Sequence, residues 1–307
     1  MQDSIWLKIG TRGSPLALAQ AHQVRQALSL AHGVEEVRIE IVIIRTTGDM
    51  IQDRALSEAG GKGLFTKELD IAMIEGRIDI AVHSSKDLPT VLPPDICIAG
   101  YTVREDVRDA FIGRDNQTLK ALPLGARIGT ASLRRAAQVK RLRPDMEITL
   151  LRGNVETRLR KVSEGEADGT LLALAGLKRL GLEACATEIL SEEDFLPAVG
   201  QGAIGITARI SDARTRQRLQ AICHVPTGHA LTAEREFLRV LDGSCRTPIA
   251  GLARVEGGRL SFRGMILRKD GSQYFEIAEQ SDTADAAALG AVCGRTLLSR
   301  APADIFT

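Results

Sequence analysis

Strand-patterned and helix-patterned segments alternate through most of this 307-residue chain. That order commits it to parallel strands in an α/β architecture. Residues 5–9 read as a strand. Ser14 then stands as an N-cap, Pro15 as the first helical residue and Gly33 just past the helix end. Leu16, Ala19, Val24, Ala27, Leu28 and Ala31 give that helix an apolar stripe. Val37, Ile39, Ile41 and Ile43 alternate as a strand with one buried face. A glycine- and charge-rich loop over 46–63 precedes a helix over 65–75 and a buried strand over 78–82.

A second unit repeats the pattern. Residues 127–129 read as a strand end, Ser132 as an N-cap and 133–142 as a helix. Strand 148–151, helix 154–162 and strand 169–174 follow, with another helix starting near 175. The two units share an echo: Ile9-Gly10-Thr11 before Ser14, and Ile128-Gly129-Thr130 before Ser132. Unpaired N–H groups where a strand gives way to a helix favour anions. The last third changes character, with a helix over 232–241 and strands over 248–255, 260–267 and 273–278. Gly257-Gly258 and Asp270-Gly271 are hairpin signals between those strands, and 284–298 is an alanine-rich helix. This last part reads as a small α+β domain with an antiparallel sheet.

The length fits two or three domains. Hydrophobic residues at 44% and charged residues at 26% are ordinary for a soluble globular protein. The first ten residues lack the basic flank and apolar run of a signal peptide, and no apolar stretch is long enough to span a bilayer. The five cysteines are widely spaced without a Cys-x-x-Cys. Neither a disulfide framework nor a metal site is expected, and a cytoplasmic location is the default.

Charge is concentrated in one place. Between Arg127 and Lys161 ten Lys and Arg stand against three Asp and Glu, in a chain whose net charge is +1. Eight of the ten are arginines, grouped at turns. Guanidinium forks bind carboxylate or phosphate through two hydrogen bonds, so the cluster points to a local anion site. Aromatics are 3% of the chain and none falls in this stretch, which weighs against nucleic acid.

Other motifs read two ways. Gly200-Gln201-Gly202-Ala203-Ile204-Gly205 fits a dinucleotide pattern, but a strand rather than a helix follows, so a hinge or tight crossing suits it better. Gly60-Gly61-Lys62-Gly63 lacks the Walker spacing and reads as a basic loop near a site or simply as a solvated loop. His83-Ser84-Ser85-Lys86-Asp87-Leu88-Pro89 follows a buried strand. It is either a surface ion pair before a turn or a group reaching a ligand crevice. Cys245, beside Arg246, is either an inert thiol or an exposed nucleophile.

Taken in order, the strings 9–17, 60–63, 81–87, 129–135, 151–154, 175–181 and 198–203, with the Cys245 turn, resemble the hydroxymethylbilane synthases, also called porphobilinogen deaminases. The resemblance runs essentially end to end. It implies two periplasmic-binding-protein-like lobes with parallel or mixed sheets and a smaller α+β domain with a three-stranded antiparallel sheet. The implied boundaries are 1–102 with 200–220, 103–199, and 221–307. That family joins four porphobilinogen molecules head to tail with release of ammonia, on a dipyrromethane primer held by a thioether, and then hydrolyses off a linear tetrapyrrole.

The resemblance implies that Cys245 carries the dipyrromethane and that Asp87 is the catalytic carboxylate, stabilising positive charge on a pyrrole nitrogen. Arg12, Lys86, Arg134, Arg135, Arg152, Arg158 and Arg179 fall on positions that contact carboxylates of cofactor or substrate. Ser14, Ser84, Thr130 and Ser132 match polar anchors beside them, and Gln20, Lys62 and Gln201 belong to the same implied set. The 46–63 loop corresponds to a mobile lid. A monomer is expected, acting on porphobilinogen, without nucleic acid or membrane. Ala131 replaces a serine common among relatives, and Ser244 replaces a usual glycine. Three rivals predict other behaviour: a reversible anion-binding clamp, a nucleotide-dependent oxidoreductase resting on Gly200–Gly205, and an RNA binder.

Overall fold

A computed structural model describes residues 5–50, 63–241 and 247–306. Its elements begin with β1 (Leu7–Thr11), α1 (Pro15–His32), β2 (Ile39–Ile43), α2 (Thr47–Met50), α3 (Lys67–Ile74), β3 (Ile80–Ser84) and β4 (Ile96–Tyr101). Next come β5 (Asp109–Gly113), β6 (Arg127–Gly129), α4 (Leu133–Leu142), β7 (Glu147–Thr149), α5 (Val155–Ser163), β8 (Gly169–Ala173), α6 (Leu174–Arg179) and β9 (Glu188–Ile189). The chain ends with β10 (Ile204–Arg209), α7 (Ala213–Leu219), α8 (Val225–Val240), β11 (Ile249–Glu256), β12 (Arg259–Leu267), β13 (Tyr274–Asp282) and α9 (Ala286–Arg300). The described residues fall into two compact units, one of 5–50, 63–105 and 203–228, the other of 106–202, 229–241 and 247–306.

Local chemistry sets the helix ends where the sequence places them. Ser14 accepts from the Ala17 N–H, Pro15 opens α1, and Gly33 closes it at φ +61°. Ser132 and Asn154 cap α4 and α5 in the same way. The buried face of α1 is Ala17, Gln20, Ala21, Val24 and Leu28, which corrects the expected stripe. Ala31 is exposed, whereas polar Gln20 is buried because its amide has a hydrogen-bond partner. β2 is also less regular than its alternation implies. Val37 precedes it and is 73% exposed, and Ile43 is 56% exposed, because β2 is an edge strand.

The first unit holds a five-stranded sheet in the order β2-β1-β3-β10-β4. β2 and β3 flank β1 in parallel, while β10 runs antiparallel to both β3 and β4. The second unit repeats this in the order β7-β6-β8-β5-β9. There β7 and β8 flank β6 in parallel, and the fourth strand, β5, is antiparallel to both its neighbours. In each lobe that fourth strand is the one separated in sequence from the strands beside it. The two lobes therefore share one topology.

The short sequence echo has a structural cause. Gly10 and Gly129 occupy equivalent places on β1 and β6, the second strand in each sheet order. A Cβ on Gly10 would lie 2.3 Å from Ile78 Cδ1, and one on Gly129 would lie 2.8 Å from Leu151 Cβ. Both strands need an absent side chain so that the next segment packs closely.

In the second unit the antiparallel sheet β11-β12-β13 packs with α8 and α9. Phe237 and Phe262 meet there at 4.9 Å. Val107, Ala137 and Leu196 share a core with Ala250, Leu252, Met265 and Leu267, joining that sheet to the lobe. The glycine-rich crossing is riveted within this unit. The Glu234 carboxylate accepts from the Gly200 and Ala253 N–H groups at 2.7 and 2.8 Å. Gln201 Nε2 donates to the Val107 carbonyl at 2.8 Å. β10 follows, so the strand–turn–helix setting of a dinucleotide site is not formed here. Among the described residues no helix is long and apolar enough to cross a membrane.

Candidate active site

In the first unit the ends of β1 and β3 and the start of α1 converge on a cavity of about 70 Å³. It is lined by Arg12, Ser14, Gln20, Phe65, Ser84 and Asp87, among others. Five of these are residues that the sequence singles out. Ser84 ends β3, and Asp87 sits on the single helical turn Ser85–Asp87. That turn is anchored where the Ser85 N–H donates to the Ala203 carbonyl at 2.9 Å. Lys86 is half-buried on the same turn.

Two polar pairs shape the cavity. Gln20, 2% exposed, donates from Nε2 to Ser84 Oγ at 2.9 Å. An Arg12 nitrogen lies 4.0 Å from Asp87 Oδ2, with both side chains only partly exposed. His83 also lines the cavity, and its Nε2 lies 3.1 Å from Thr207 Oγ1. Burial, aided by Arg12, pushes the His83 imidazole down to about 3, so it stays neutral at physiological pH. Among the described lining residues, the charge-bearing side chains are therefore Arg12 and Asp87.

Phe65 is the lining residue that the sequence reading missed. Arg12 covers its ring at 4.2 Å from the centroid, a stacked cation–π contact. Aromatics are scarce in this chain, and one placed two residues after a Gly-Lys-Gly string was the available signal.

The second unit places its implied residues in two environments. Thr130 follows β6 and accepts the Ser132 N–H at 3.1 Å, while Ser132 Oγ accepts the Arg135 N–H at 3.4 Å. Arg134 and Arg135 are buried, at 4% and 5% exposure, and both pair with Asp109. Burial pushes the Arg134 guanidinium below its ordinary pKa, Asp109 opposes that, and Arg135 adds to it. Arg152, Arg158 and Arg179 are instead half-buried. Arg158 Nε donates to the Gly153 carbonyl at 2.9 Å, and Arg179 Nη2 donates to the Gly202 carbonyl at 2.8 Å. Gln201 is fully buried on its Val107 contact. Lys62, Cys245 and Ser244 lie outside the described residues.

The donor set suits a ligand built from pyrroles that carry carboxylates. Guanidinium forks and hydroxyls match carboxylates, a carboxylate matches a pyrrole N–H, and an aromatic ring matches a pyrrole face. Arg134 Nε and Ser85 Oγ are buried polar atoms without a hydrogen-bond partner among the described residues.

Topology and cavity together define a two-lobed α/β protein with a carboxylate-and-arginine site and a third, antiparallel sheet. Two family profiles match it. "Porphobilinogen deaminase, dipyromethane cofactor binding domain" matches residues 7–217, and "Porphobilinogen deaminase, C-terminal domain" matches residues 229–299. The chain belongs to the porphobilinogen deaminase family. It is 57% identical to the porphobilinogen deaminase of Nitrobacter winogradskyi over 306 residues, covering 100% of this chain and 97% of the relative. The Nitrobacter hamburgensis enzyme is 56% identical with the same coverage. An arginine-specific periplasmic binding protein of Salmonella typhimurium aligns at 13% identity and a TM-score of 0.40, over 70% of this chain and 90% of its own.

Proposed function

We propose that this chain condenses four porphobilinogen molecules head to tail, releasing ammonia at each addition, and hydrolyses off the linear tetrapyrrole hydroxymethylbilane. The observation that carries this reading is the Asp87 carboxylate in a cavity with Arg12 and Phe65, in a chain of this family. Bound through a thioether at Cys245, a dipyrromethane supplies the pyrrole carbon to which new units are joined.

The chain's own residues then have separable tasks. When the aminomethyl C–N bond of porphobilinogen breaks and ammonia leaves, the pyrrole nitrogen becomes positively charged. Asp87 stabilises that charge and accepts the N–H hydrogen bond. Arg12 holds a ligand carboxylate and sets its positive charge beside Asp87. Arg152, Arg158 and Arg179 receive acetate and propionate groups, with Lys62 and Lys86 adding charge. Ser14, Gln20, Ser84, Thr130 and Ser132 orient those groups by hydrogen bonds, and Gln201 supports the crossing beside them. Phe65 offers its face to a pyrrole ring.

The proposal includes a monomeric cytoplasmic enzyme, divided at 1–102 with 200–220, 103–199 and 221–307. Intact mass of the wild type beside Cys245→Ala tests it, before and after incubation with porphobilinogen. The expected result is a two-pyrrole adduct on the wild type alone, with ammonia released on further incubation. A wild type that gains no mass and releases no ammonia makes a reversible binder the better account.

A further inference from the structure

The two consecutive arginines at the start of α4 share one buried carboxylate. Asp109, fully buried, opens β5, and its own carbonyl accepts the Leu190 N–H at 2.9 Å. Its Oδ1 accepts from Arg135 Nε and Nη2 at 2.9 and 2.6 Å, and its Oδ2 lies 2.8 Å from Arg134 Nη2. The remaining arms are directed too. Arg135 Nη1 donates to the Leu171 carbonyl at 2.9 Å, and Arg134 Nη1 to the Leu196 carbonyl at 2.8 Å.

Two guanidiniums at this depth repel each other and are costly to desolvate without a counter-charge. One carboxylate does not neutralise both. Among the described residues, these two guanidiniums and one carboxylate carry a single net positive charge, at the N-terminal turn of α4. The helix dipole adds to its attraction for an anion. Asp109 is also held on a strand, with β5 paired to β8 along its length. The carboxylate is therefore a fixed reference for both arginines.

We propose that Asp109 is a positioning residue for ligand binding: it aims Arg134 and Arg135 and limits the pair to one net positive charge, matched to one ligand carboxylate. This rests on the reading of the chain as a synthase that carries a dipyrromethane. Asp109 acts through the arginines. Its effect is therefore on how fast and how fully the chain takes up the carboxylate-bearing primer.

The test reads adduct formation by intact mass during incubation with porphobilinogen, starting from protein purified without adduct. Wild type, Asp109→Asn, Arg135→Gln and the Asp109→Asn/Arg135→Gln double variant are compared, with far-UV circular dichroism and thermal melting recorded for each. The single variants set the cluster's charge to two and zero, and the double variant restores it to one. Each single variant is expected to load at least tenfold more slowly than wild type. The double variant is expected to load several-fold faster than either single variant.

Asp109→Asn that loads at the wild-type rate overturns the inference. So does a double variant that regains melting temperature without regaining loading, because Asp109 is then only a packing group. If Asp109→Asn does not fold, the double variant is judged against Arg135→Gln. Faster loading supports the inference, and equal or slower loading overturns it. No mass gain in the wild type overturns the synthase reading and this inference with it, whereas normal wild-type loading isolates the question of Asp109.

Discussion

Arg12 stands between two partners of opposite kind, with its guanidinium 4.0 Å from the Asp87 carboxylate and 4.2 Å above the Phe65 ring. Neither contact is a close bidentate pair. The guanidinium thus sets its positive charge beside Asp87 and over an aromatic face. The ring below it supports the side chain without competing for its hydrogen bonds.

Replacing Asp87 by Asn removes the charge and keeps the shape. Turnover is expected to fall by roughly 10²–10⁴-fold, the range for losing a positioned acid–base group. Its pair with Arg12 is partly exposed, so stability should change little. Steady-state assay of protein shown by mass to carry the adduct, beside a thermal melt, checks both halves. A variant within threefold of wild-type turnover assigns the carboxylate's task elsewhere.

Phe65→Ala removes the surface under Arg12. A stacked cation–π contact contributes roughly 0.5–2 kcal/mol, so KM for porphobilinogen is expected to rise by about two- to thirtyfold. Phe65→Tyr, which keeps the ring, should stay near wild type. Equal KM values for the alanine and tyrosine variants would remove Phe65 from the site.

Much of this was legible along the chain, because caps and turns are local. Ser132 fixes the start of α4 and Asn154 that of α5, each by one hydrogen bond to a nearby N–H. β5 was not legible. All five of its residues are buried, so it shows no alternation. The same strand hides the fate of the arginine pair: Asp109 is 26 residues from Arg135 in sequence and meets it only through the sheet. Sequence showed where arginines cluster. It did not show that Arg134 and Arg135 are buried on a carboxylate while Arg152, Arg158 and Arg179 stay half-exposed.

That difference in exposure makes Arg158→Lys informative. Its Nε is committed to the Gly153 carbonyl, which orients the rest of the fork. Lysine cannot reproduce both arms. A charge-assisted hydrogen bond contributes roughly 1.5–3 kcal/mol, so KM should rise about ten- to a hundredfold with the melting temperature little changed. Initial-rate measurements at low and high salt check this, and an unaltered KM would place Arg158 outside the site.

Gly290 tests the packing of the third sheet's helices. A Cβ there would lie 2.1 Å from the Ala233 carbonyl oxygen and 3.0 Å from the Phe237 N, both backbone atoms of α8. Neither atom can swing away as a side chain would. Gly290→Ala is expected to destabilise the protein by about 1–3 kcal/mol, the usual cost of overpacking. Urea unfolding measures it, and an unchanged midpoint would show that α9 shifts freely against α8.

Asp70 gives the fold a stability term with an unusual sign. It is 6% exposed on α3, its Oδ1 has no hydrogen-bond partner among the described residues, and burial pushes its carboxyl up to about 6 against a partly opposing Thr66 hydrogen bond. The folded protein therefore holds this proton more tightly than the unfolded chain does, and between about pH 4 and 6 this group makes stability fall as pH rises. His83 works the other way. Its folded value of about 3 lies below the ordinary 6.5, so its contribution is lost as pH drops through that window. Asp70→Asn removes the first effect and keeps an acceptor for Thr66. It should stabilise the protein by roughly 2 kcal/mol at pH 7, with the gain vanishing below about pH 4. Urea unfolding of wild type and variant at pH 4, 5.5 and 7 checks the sign. A gain that is the same at all three pH values would show that the substitution acts through packing and not through the buried charge.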